Sequence, residues 1–135
     1  MMPIDLTPTQ KKLRGLAREI AERSVRGRAA ETDRSEAYPL DTVRELTRAG
    51  LMGLTIPKEL GGAGGSFLDA ALVVEEMARV CGVTGRIVVE ANMGAISAVM
   101  RYGSEAQRRL AADLVPATSP PSASPSPRRG PPRPR

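Results

Sequence analysis

The chain has no histidine and no tryptophan, a single cysteine, and only three aromatic residues among its 135. Each absence excludes something. Without histidine the common zinc sites are out of reach, and Cys81 has no imidazole to activate it as a nucleophile. One cysteine cannot build an internal disulfide framework, which fits a reduced cytosolic setting. With so few aromatics, a core must depend on aliphatic and methionine packing. No apolar stretch approaches the roughly 18 residues that a membrane span needs. The opening Met-Met-Pro-Ile-Asp-Leu-Thr-Pro lacks the basic start and apolar run of a signal peptide. Alternating strand patterns and internal repeats are also missing. A soluble, cytoplasmic protein with no membrane segment and no metal site is expected.

What is present divides at Val115/Pro116. From Pro116 to Arg135 the chain has eight prolines, four arginines, no acidic residue and no apolar residue larger than alanine. Such a segment cannot bury enough surface to offset its ordering entropy, so a disordered tail is expected over 116–135 and a single folded domain over 1–115. The four arginines of the tail account for most of the net charge of +5, leaving residues 1–115 at +1. A folded part so nearly neutral does not point to a nucleic-acid partner.

Residues 1–115 are patterned as about five helices. Thr7-Pro8-Thr9-Gln10 reads as an N-cap, a proline at the first helical position and a Gln that closes a capping box. Leu13, Leu16, Ala17 and Ile20 then recur at helical spacing, predicting a long amphipathic helix to about Arg28. Leu40, Val43 and Leu46 share one face of a short second helix that ends at Gly50, a residue suited to a left-handed C-cap. Ser66 and Asp69 form a second capping box ahead of a third helix running to about Val80. A fourth helix is predicted over Gly85–Arg101, where Ile87, Val88, Ala91, Ala95, Ile96 and Val99 keep the 3.6 period. Ser104-Glu105-Ala106-Gln107 opens a fifth, expected to turn Leu110 and Leu114 inward and Arg108 and Arg109 outward. The fold class is therefore all-α, an up-and-down bundle.

Few residues carry an obvious chemistry. Gly61-Gly62-Ala63-Gly64-Gly65 has no strand before it and no Lys-Ser/Thr pair after it, so a helix-to-helix turn is expected and not a phosphate-cradling loop. Glu75 and Glu76 are adjacent, project about 100° apart on a helix and cannot face each other as an acid/base pair. One surface carboxylate and one arginine partner are expected. Arg86 precedes Ile87-Val88-Val89 in the least polar helix, where a buried cation needs an anionic partner or a route to water. Glu90, four residues on, could pair with it within the helix. The alternative is that Arg86 enters a pocket and receives an anionic substrate group.

Six motifs recur in order: Leu6-Thr7-Pro8-x-Gln10, Ala49-Gly50-Leu51-Met52-Gly53, Ile56-Pro57-x-Glu59-x-Gly61-Gly62-x-Gly64, Glu75-Glu76-Met77-Ala78, Asn92-Met93-Gly94 and Tyr102-Gly103-Ser104-Glu105-x-Gln107. Together they resemble the N-terminal helical domain of acyl-CoA dehydrogenases over residues 4–115. The resemblance implies a flavin enzyme in three parts: this helical domain, a middle β-domain holding much of the FAD site, and a C-terminal helical domain bearing the glutamate base. It implies an acyl-CoA substrate, abstraction of the thioester α-proton with hydride transfer to the flavin, and a homotetramer or homodimer. Arg86, Glu90, Asn92, Met93 and Gly94 would be the substrate-binding contribution of this chain. It would supply no catalytic base and no cofactor-binding residue. The stretch from Gly85 to Ile96 is similar to a subgroup that includes 3-sulfinopropanoyl-CoA desulfinases, flavoproteins that release sulfite, in which an arginine at the position of Arg86 meets the substrate's sulfinate.

The tail fits a break in the reading frame. Taking the third base of each tail codon as the first of the next, permitted codons spell Gly-Asp-Lys-Pro-Ala-Ile-Cys-Ile-Thr-Glu-Pro-Glu-Ala-Gly-Ser-Ala-Ala-Thr-Glu. That string resembles the family's opening of the β-domain, around its Thr-Glu-Pro-x-Ala-Gly motif. A frameshifted fragment, inactive alone, is therefore expected. The competing expectation is a stand-alone helical interaction module whose basic tail acts as a polyproline ligand or a nucleic-acid tether.

Overall fold

Thr7 starts the first helix as its sequence predicts. Its hydroxyl accepts from the Gln10 amide at 3.2 Å, and the Gln10 side chain accepts from the Thr7 amide at 3.0 Å. The computed structural model describes residues 5–115, so the expected tail lies outside the described residues. Helix α1 (Pro8–Ile20) passes through a π-helical turn, Ala21–Val25, directly into α2 (Arg26–Ser35). The rod thus outlasts its predicted end at Arg28. α2 buries no residue, so it shows no apolar stripe to read, and surface ion pairs run along it instead: Arg26 with Glu22 and Arg34 with Glu31. It stops at Glu36, whose φ of 54° is left-handed.

After α3 (Leu40–Arg48) the chain turns at Gly50, with φ of 75°. The Gly50 amide donates to Thr47 O and the Leu51 amide to Leu46 O, both at 3.0 Å, which is a Schellman cap. Leu51, Met52, Leu54 and Ile56 are then buried although they lie in no helix. A 3₁₀ turn (Lys58–Leu60) and the glycine run lead to α4 (Phe67–Ala78), which the Ser66/Asp69 capping box opens. α5 (Gly82–Asn92), α6 (Ala95–Tyr102) and α7 (Glu105–Leu114) follow, the last opened by a Ser104/Gln107 capping box. The expected fourth helix is thus two helices, broken at Met93-Gly94. The regular elements among the described residues are all helical, with no strand.

α1, the π-turn, α4 and α5 enclose the main core, which includes Ala17, Ile20, Ala21, Val25, Leu46, Leu51, Val73, Met77 and Val88. α4 and α5 approach so closely that a β-carbon on Gly85 would lie 2.6 Å from that of Ala78. A smaller cluster of Ile56, Ile96 and Ala112 seats α7. Here the expected orientation of the leucines reverses, while Arg109 faces outward as expected. Leu110 is 60% exposed and Leu114 74%, whereas Arg108 is half-buried. α7 packs through its small residues Ala111 and Ala112, which allow a close approach, and the leucines face away.

One carboxylate is buried at the centre of this packing. Glu76 on α4 has only 3% of its side chain exposed and accepts from Arg18 twice, at 2.8 and 3.1 Å, and from Arg79 at 3.1 Å. Arg14 adds a third guanidinium at 3.5 Å. The hydrogen bond from Arg18 holds the carboxyl below the usual glutamate range against the opposing effect of burial, and Arg79 adds to it. Glu75 is exposed. The expected division into a surface carboxylate and an arginine partner is therefore observed. Beside it, hydrogen bonds from Arg26 and Arg79 bring Glu22 down to about 2.

Both folded-state pKa values lie below the unfolded ones. Their contribution to stability is complete above about pH 4.5 and is lost as the pH falls through the folded-state values, about 2 for Glu22. Urea denaturation between pH 7 and pH 3 is expected to show falling stability below pH 4.5. Glu76→Gln should cost about 2 kcal/mol at pH 7, less than for a fully buried pair because the arginines are half-exposed, and should flatten that fall.

Candidate functional site

The residues singled out for substrate binding run from the middle of α5 to the turn that follows it, and the helix sorts them by direction. Thr84, Gly85, Val88, Ala91 and Asn92 point into the bundle. Arg86 and Glu90 fall on the opposite arc, since two residues along a helix is a rotation of about 200°. Arg86 is consequently not buried. Its side chain is 75% exposed, and its guanidinium lies 2.5 Å from Glu90 Oε1 in an i,i+4 ion pair. It stands at the edge of an open groove of about 630 Å³, walled by Tyr38, Pro39, Val83 and Ile87 and shared with Asp33 and Glu36. The apolar sequence around Arg86 suggested burial because it is partly inward-facing core and partly groove wall.

Glu90 is half-exposed, and its Oε2 lies directly over Gly94, where any β-carbon would collide with it. Arg86, Glu90 and Gly94 thus form one contiguous arc, with the half-buried Met93 beside it.

Asn92 differs from its neighbours. It is fully buried and its carboxamide is saturated: Oδ1 accepts from the Leu54 amide at 2.6 Å, and Nδ2 donates to Leu51 O at 3.1 Å and Val88 O at 2.9 Å. The Thr55 hydroxyl donates to its carbonyl. Asn92 therefore ties the non-helical segment 51–55 to the end of α5. The Met93 and Gly94 amides then both donate to Val89 O, at 2.7 and 2.9 Å, and Ser97 Oγ donates back to Met93 O and Gly94 O. These bonds end α5 and start α6, and they explain why the uninterrupted apolar period misled. Thr55 and Ser97 carried no signal in the sequence, since isolated hydroxyls in apolar stretches are common.

The glycine run behaves as a turn. The amides of Gly62, Ala63, Gly64 and Gly65 donate to Pro57, Gly53, Ile56 and Leu54 carbonyls. None of these is left to cradle a phosphate. Cys81 is buried. Among the described residues no His, Cys, Asp and Glu group is placed to hold a metal ion, and no helix is long and apolar enough to cross a membrane.

Asn92→Ala leaves the buried Leu54 amide and Leu51 carbonyl without their side-chain partner and removes a bond to Val88 O. It is expected to lower stability by about 2–3 kcal/mol. Faster hydrogen exchange at Leu54 than at amides of α1, measured under native conditions, would locate the effect.

The acyl-CoA dehydrogenase N-terminal domain model matches residues 7–112. The chain is 52% identical over 111 residues to a 3-sulfinopropanoyl-CoA desulfinase of Paraburkholderia xenovorans, covering 82% of this chain and 29% of that protein. It is 38% identical over 108 residues to a short-chain specific acyl-CoA dehydrogenase of Clostridium acetobutylicum, covering 80% and 28%. The butyryl-CoA dehydrogenase structure from Megasphaera elsdenii superposes with a TM-score of 0.71 at 25% identity, covering 81% of this chain and 29% of that one. The chain thus spans less than a third of the length of these relatives. With its helix order, capping boxes and glycine turn, it belongs to the acyl-CoA dehydrogenase family, of which it carries the N-terminal domain.

Proposed function

We propose that this domain is the N-terminal portion of an FAD-dependent enzyme acting on acyl-CoA thioesters, and that it forms one wall of the acyl pocket. The observation that supports this is the family match over residues 7–112 together with an arc, Arg86–Glu90–Gly94, that faces away from the domain's own core. In this reading Glu90, Met93 and Gly94 line the wall. Asn92 fixes the turn that presents them, and Arg86 is the anion anchor. No residue of this chain is the base that removes the α-proton.

FAD, when bound, accepts the hydride from the substrate. The residues here do not offer it a phosphate cradle, since the glycine-loop amides are occupied by the chain's own carbonyls. Its contacts would come from portions of the relatives that residues 1–115 do not span. The 135-residue polypeptide alone is accordingly inactive in this reading, and Pro116–Arg135 is an out-of-frame tail. The complete enzyme would be a cytoplasmic homotetramer or homodimer. The nucleotide sequence past the codon for Val115 tests the frame: an alternative frame continuing into a β-domain supports it, and its absence removes it.

Dehydrogenation is the primary reading. Desulfination is the second, favoured by a guanidinium available at the domain surface and by the 52% identity to a desulfinase. A chimera joining residues 1–115 to the remainder of the Paraburkholderia protein separates the roles. Arg86→Ala should raise KM for 3-sulfinopropanoyl-CoA about tenfold, the effect of one charge-assisted hydrogen bond, and leave that for butyryl-CoA within about twofold. Equal changes for both substrates would exclude an anion anchor at Arg86.

A further inference from the structure

Two arginine–glutamate pairings in this domain contrast in kind. Glu76 is buried and held by three guanidinium groups, so it cannot exchange partners without disturbing the core. Glu90 is half-exposed and meets one guanidinium, that of Arg86, through a single oxygen. Its other oxygen rests against Gly94, the one position on that turn where the absence of a β-carbon matters to it. Among the described residues Arg86 is the single cation lining its groove, which Asp33 and Glu36 share.

We propose that Glu90 is a resident, exchangeable counter-ion for Arg86, seated by Gly94, which an anionic acyl terminus must displace before it can be bound. This rests on the reading of Arg86 as an anion anchor and adds a gate to it. A guanidinium presents five N–H donors in a rigid fork, and a two-oxygen anion such as a carboxylate or sulfinate can take two of them together. An exposed i,i+4 pair is weak enough to yield to such a ligand. A neutral acyl chain meets instead a closed, electrically neutral pair and loses little against it. The arc therefore suits acyl chains ending in a small two-oxygen anion, while still admitting neutral ones. Gly94 is part of the device, because a side chain there would push the carboxylate off its seat.

The 135-residue chain itself provides the test, by following the Arg86 Nε–Hε NMR resonance during titration with sodium methanesulfinate at constant ionic strength. Glu90→Gln should bind roughly threefold more tightly than the wild type, the equivalent of removing one exposed ion pair. Gly94→Ala, which keeps the charge but denies it its seat, should shift affinity in the same direction. The double variant Arg86→Gln/Glu90→Gln, followed at the backbone amides of positions 86 and 90, should give no saturable response. Equal, measurable affinity in wild type and Glu90→Gln would overturn the counter-ion role and leave the anchor standing. No saturable response in any variant would overturn both. Far-UV circular dichroism confirms that each variant is folded.

Discussion

A carboxylate with almost no access to water, placed between helices, is the constraint around which this domain is organised. Glu76 would be costly to bury alone, so α1 must present Arg14 and Arg18 to it and α4 must present Arg79. That requirement fixes the axial register of α1 against α4. Ala17, Ile20 and Ala21 are then brought against Val73 and Met77. With α1 and α4 aligned, the close contact between Ala78 and Gly85 sets α5 on α4, and α5 in turn carries Asn92 to the segment 51–55. The candidate pocket wall is the outer face of the last element in that sequence.

Local chemistry was legible where it was self-contained. The Thr7, Ser66 and Ser104 capping boxes and the Gly50 C-cap each involve residues within a few positions of one another, and all appear as the sequence predicts. The features that escaped depend on distant partners. Gly94 alone is a weak signal of a helix break, since an isolated glycine is tolerated within helices, and the break is reinforced by Asn92 reaching 38 and 41 residues back to Leu54 and Leu51. α2 was unreadable for another reason: a helix without a buried face shows no period to detect.

The site residues divide in the same way. The i,i+4 pairing of Arg86 with Glu90 followed from spacing, but their outward direction did not, since a helix apolar over most of its circumference gives no indication of which side faces the core. Leu110 and Leu114 were misplaced by an assumption that larger apolar residues face inward. In this domain Ala111 and Ala112 occupy the contact, and the leucines stand on a surface suited to further packing.

The π-turn at Ala21–Val25 gives the long rod a property that a straight α-helix lacks. There the Arg26 amide reaches back to Ala21 O, five residues away, so this turn holds one residue more than its neighbours. It works as a phase shifter. Upstream of it the apolar stripe faces α4, while the turn itself presents Ser24 and Arg23 to Glu45 of α3. One continuous rod thereby serves two neighbours without an intervening loop. Because the turn carries the extra residue, deleting one would restore plain α-helical winding and leave the downstream side chains on the faces they now occupy, while removing one of the positions from which the turn reaches Glu45.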